Sequence, residues 1–138
     1  MGGVEALVFG LLVLVLGTLV LGDAWAVLDA KMAAAGAARQ AARALVQAPA
    51  GADPLAVADS AAVQALSAEG RDPARRTVRV QGSLDRCSRV TVTVSYRVAL
   101  VAVPLLGQLG GYMPVSASQS ELVDPYRSGL PGTAECPP

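Results

Sequence analysis

The side chains able to carry acid–base, nucleophilic or metal chemistry are few in this sequence and thinly spread. Histidine is absent, which removes Ser-His-Asp and Cys-His catalysis and every histidine metal site. Aspartate, glutamate, serine and arginine occur without a catalytic spacing, so no catalytic, cofactor-binding or metal-binding residue is expected and the chain does not read as an enzyme. Eleven basic residues balance eleven acidic ones, which leaves no electrostatic reason to expect nucleic acid as a partner. Three features remain. Glu5 is a carboxylate at the edge of an apolar run. Gly3, Gly10, Gly17 and Ala24 recur every seven positions. Cys87 and Cys136 are the two thiols.

These must be positioned by elements that the composition constrains strongly. A chain of 138 residues is one soluble domain at most, and 53% apolar with 4% aromatic residues is too apolar and too alanine-rich for an ordinary small domain in water. The excess lies in Ala6 to Gly22, ALVFGLLVLVLGTLVLG, uncharged between Glu5 and Asp23. As a helix it spans roughly 26 Å, and Trp25 to Leu28 extend it toward the ~30 Å of a hydrocarbon core. Asp23 then falls near a headgroup boundary, with the Trp25 indole beside it. A cleaved secretory signal is the competing reading. It calls for a basic start, a shorter run and a small-residue cut site, whereas the preceding residues are MGGVE and the helical pattern continues without a break.

Asp29 to Gln47, DAKMAAAGAARQAARALVQ, favours helix because alanine loses no side-chain entropy there and no proline intervenes before Pro49. One helix is therefore expected over 4–47: a membrane anchor at about 4–28 and an amphipathic continuation over 29–48. Asp29, Gly36, Gln40, Arg43 and Gln47 share one stripe of the continuation. Val27, Ala34, Ala38, Ala41 and Leu45 gather on the opposite face, which needs something to pack on. The Gly3, Gly10, Gly17, Ala24 series offers places for close approach of a second helix in lipid; glycine is also simply common in membrane helices. Glu5 on its own reads as an interfacial carboxylate wetted by headgroups. Lys31, Arg39 and Arg43 lie beyond the span, so the positive-inside rule alone places the C-terminus in the cytoplasm.

After Pro49 and Gly51, Asp53 as N-cap and Pro54 at the first helical position start a second helix, which runs to about Ala68 and stops at Gly70. Its apolar stripe is Leu55, Ala58, Ala62 and Leu66, facing the alanines of the first helix. The period then changes to two. Thr77 to Gln81 and Val90 to Val98 read as half-buried strands of a hairpin, and Met113 to Val123 as a third extended piece. The fold class is α+β: a long N-terminal transmembrane and amphipathic helix, a short second helix and an antiparallel sheet of about three strands, with the α+β domain over 49–124 and a loose tail over 125–138. Ala99 to Gly111 is too short for a second span; Leu105, Leu106 and Leu109 in it either contact a neighbour or the bilayer surface, or fold back as core. A bridge between Cys87 and Cys136 would tie down the tail and require an oxidising compartment; two free thiols on a cytoplasmic domain are the alternative.

The order of these features, a glutamate, an apolar helix, the continuation AAGAARQAARAL, then VTVTVSYRVALVAVPLLG and VSASQSELV, resembles a TadE-like minor pilin or pseudopilin of the tight-adherence pilus system in its actinobacterial form. The resemblance runs from about Gly3 to Tyr126. It implies a pilin-like fold anchored in membrane lipid, an extracytoplasmic domain, other pilus subunits as partners through the N-terminal helix, and prepilin peptidase as processing enzyme. In that family the peptidase cuts after a glycine and leaves a glutamate fifth, whose carboxylate meets a neighbour's N-terminal amine and sets the register between helices. Glu5 is the matching residue. Cutting after Gly3 would leave it second, whereas counting from Met1 makes it fifth, so in-frame upstream codons for a short basic leader ending in glycine are expected. A single-pass envelope protein with an external binding domain is the alternative from a different class.

Overall fold

The computed structural model describes residues 3–101 and 111–136. The first helix, α1, spans Gly3–Gln47 without interruption. Its domain-side half buries Ala30, Ala33, Ala34, Ala37, Ala38, Ala41, Ala42 and Leu45, two parallel rows at a spacing of four residues that form one face of the helix. Because seven of these eight side chains are a single methyl group, neighbouring backbones and valines can approach closely. The stripe of Asp29, Gln40, Arg43 and Gln47 is exposed as expected, and Gly36 is half-buried.

The second helix, α2, spans Pro54–Ala68, with the Asp53 carboxylate accepting the Leu55 N–H at 3.0 Å. At its other end Gly70 takes φ 69°. There Arg71 N–H donates to the Leu66 carbonyl at 2.9 Å and Gly70 N–H to that of Ser67 at 3.0 Å. This paired arrangement needs a left-handed residue at Gly70, which glycine adopts at least cost. Ala58, Ala62 and Leu66 are buried. Leu55, expected on the same stripe, is 51% exposed: it lies in the first turn of α2 and borders an open groove with Val78 and Val80 instead.

A 3-10 turn, Pro73–Arg75, leads into the strands β1 (Arg76–Gln81), β2 (Arg89–Leu100) and β3 (Gly111–Leu122), which form an antiparallel meander in the order β1-β2-β3. The alternation on β2 separates two faces. Val90, Val92, Val94, Tyr96 and Val98 are buried against the helices, and Thr91, Thr93, Ser95 and Arg97 stand on the outer side. Gly82 (φ 102°) closes the β1–β2 connection, where an added Cβ would fall 2.3 Å from the Arg89 carbonyl oxygen. Before β2, Cys87 (φ 63°) and Ser88 together face Val123, with Cys87 N–H donating to the Val123 carbonyl at 3.1 Å and Val123 N–H to that of Ser88 at 2.9 Å; this is a bulge at the sheet end.

The tail from Pro125, expected to be loose, forms no helix or strand among its described residues, yet it is attached to the body at several points. Leu130 is buried, Arg86 N–H donates to the Pro131 carbonyl at 2.8 Å, and Arg127 donates to the carbonyls of Val46 and Ala48. Leu105, Leu106 and Leu109 lie outside the described residues.

Candidate functional site

The candidate site is the N-terminal half of α1. Eleven large apolar side chains from Val4 to Leu21 are exposed, Phe9 at 68% among them, and α1 is long and apolar enough to cross a membrane. The Thr18 hydroxyl donates to the Val15 carbonyl at 2.8 Å, so the one side-chain hydroxyl of the run is satisfied by its own helix. Among the described residues, the first side-chain hydrogen bond from α1 to the rest of the molecule is at Asp23, whose carboxylate accepts the Val101 N–H at 2.9 Å. Ala26 and Val27 then pack on the core.

Glu5 stands in the first helical turn, where a carboxylate faces the unpaired N–H groups of the helix start and is favoured by them. It borders a shallow apolar depression with Val4, Val8, Phe9 and Leu12 and forms no ion pair among the described residues. Gly3, Gly10 and Gly17 are bare, with nothing within 4 Å of an added Cβ, and Ala24 is exposed. A seven-residue spacing drifts about 20° per repeat, so these four keep to one side of the helix. Glu5 does not join them: at 3.6 residues per turn it lies roughly 100–160° around the axis from each. One helix–helix contact therefore cannot use both features.

Cys87 and Cys136 are joined by a disulfide, S–S 2.02 Å, which fastens the tail to the bulge that precedes β2. Other ties have no local sequence signal. Arg71 pairs with Asp29 across the helices and stands 5.6 Å from the Tyr96 ring, while Arg76 pairs with Asp59. On the outer sheet face, Thr91 and Ser120 share a hydrogen bond of 2.8 Å, as do Thr93 and Ser118; the strand alternation shows this polar face, but only the register brings its hydroxyls together. A groove of about 610 Å³ between α1 and α2 is lined by Gln40, Arg43, Gln47, Gln64 and Glu69 over a floor of small residues. It brings no nucleophile beside a base. No cluster of three or more potential metal ligands occurs among the described residues.

Comparison of the chain with protein-family models, with curated proteins and with solved structures finds no match.

Proposed function

We propose that the protein is a TadE-like minor pilin or pseudopilin, a structural or assembly component of a Tad-type pilus or a related secretion system, held in the cell membrane by α1 with its domain outside the cytoplasm. The observation that carries this reading is the division of one unbroken helix into a bare apolar half bearing Glu5 and a half that forms the spine of a small α+β domain. The bare half serves lipid before assembly and neighbouring pilin helices after it. A carboxylate and an ammonium enter an apolar bundle together at far lower cost than either alone, so pairing of Glu5 with a neighbour's N-terminal amine would fix the axial register. The disulfide supports an oxidising compartment for the domain, and that argument is preferred here over the positive-inside bias of Lys31, Arg39 and Arg43. Processing by prepilin peptidase belongs to the same reading.

The test is Glu5→Ala in the native host, scored by processing and by recovery in sheared surface fractions. Loss of a buried pair predicts recovery reduced about tenfold or more, while recovery equal to the unaltered chain contradicts the register role. The second reading, an anchored envelope protein with a binding domain, draws on the uncovered row of hydroxyls on the sheet. It predicts a protein that stays with the membrane and never enters the sheared fraction.

A further inference from the structure

Asp23 ends the apolar run of α1, and its bond to the Val101 N–H holds one end of the sheet where the helix leaves hydrocarbon. From Gly3 to Gly22 the helix rises roughly 30 Å, the thickness of a bilayer core. Tyr112 stands at this sheet end, opposite Ala99 in the register, and is 62% exposed. Two guanidinium groups lie over its ring, Arg75 at 5.6 Å and Arg97 at 5.9 Å. Val101 and Met113 are exposed nearby. Asp72 lies 3.4 Å from Arg75, while Arg97 has no ion pair among the described residues. Asp23 belongs to α1, which packs on the inner face, whereas Arg97 and Tyr112 take their places on the outer one by strand alternation.

These are the residue types of a bilayer interface: a ring with an apolar body and a hydroxyl tip, beside planar cations whose forked donors match phosphate oxygens. The anchor holds them next to such a surface permanently, so even a weak contact is populated at high effective concentration. We propose that Arg75, Arg97 and Tyr112 form a headgroup-binding surface that seats the domain on anionic phospholipid beside its own helix. The proposal rests on the membrane-anchored reading of α1 and adds a partner and an orientation for the domain before assembly.

The experiment uses the full chain in nanodiscs of phosphatidylcholine, with and without a third of phosphatidylglycerol, and a headgroup-attached nitroxide as quencher. Native Trp25 fluorescence first reports whether the anchor is inserted. An indole is then placed by Tyr112→Trp in a Trp25→Phe background, with Tyr126→Trp as control at the far end of the domain, where Arg127 meets the end of α1. The expected result is quenching at position 112 at least about threefold above position 126 in anionic discs, falling to the control level on Arg75→Gln with Arg97→Gln and in high salt. Quenching at Trp25 but not at position 112, or quenching at 112 unaltered by the arginine changes or by removal of phosphatidylglycerol, overturns the proposal and leaves the anchor standing. Unquenched Trp25 removes the anchor reading and the proposal together.

Discussion

Arg127 closes the C-terminal end of α1. The last carbonyls of a helix have no intrahelical partner, and its guanidinium satisfies that of Val46 together with that of Ala48, the residue just past the end of α1. Bonds to a charged donor contribute about 1.5–3 kcal/mol each, and a cation there also complements the helix dipole. Arg127→Ala is expected to destabilise the domain by about 2 kcal/mol, read as a lowered midpoint in thermal unfolding of the detergent-solubilised chain by near-ultraviolet circular dichroism. Arg127→Lys should recover part of that loss, because it keeps the charge but not the fork. An unchanged midpoint in Arg127→Ala would show that the cap contributes nothing. The role of Arg127 cannot be read from DPYRSG, since the carbonyls it meets lie far away in sequence. Asp53, Pro54 and Gly70 could be read, because each acts on backbone groups within a few residues of itself.

At the level of elements, the seam between α1 and its neighbours depends on side chains that are small enough. Ala38 is fully buried, and Ala38→Leu would force extra volume into a packed face, costing about 1–3 kcal/mol. Leu55→Ala, on the exposed end of α2, should change stability by less than about 0.5 kcal/mol. Denaturant titration of the two variants tests the seam; equal effects would contradict it. Strand alternation announced the sheet clearly, with observed ends within two residues of those expected. Helical periodicity identified Ala34, Ala38, Ala41 and Leu45 but missed Ala30, Ala33, Ala37 and Ala42 of the buried face of α1, because alanine favours helix whether buried or exposed and so marks a buried face weakly. Leu55 shows the opposite error: its apolarity and spacing placed it in the core, and its position in the first turn of α2 leaves it on an open groove.

Across the whole molecule, one helix has two unlike halves, one bare and apolar and one packed as the spine of the domain. Each large apolar side chain kept in water forgoes about 1.5–3 kcal/mol of burial, so the eleven bare ones from Val4 to Leu21 represent on the order of 20 kcal/mol, more than the ~5–15 kcal/mol that holds an ordinary domain together. Such a helix is long and apolar enough to cross a membrane. This much was legible from the uncharged run alone, as was the α+β class of the domain that follows. The separation of Glu5 from the Gly3, Gly10, Gly17, Ala24 side also follows from helical geometry. The level of the sheet relative to the apolar run does not, since it depends on Asp23 meeting Val101 across the fold. The most direct measurement is alkaline carbonate extraction of membranes from cells making the native protein, followed by detergent. The account predicts that the chain, with Ala6 to Gly22 retained, stays in the carbonate-washed pellet and is released by detergent; recovery of the chain in the carbonate supernatant, or in soluble form lacking that run, would contradict it.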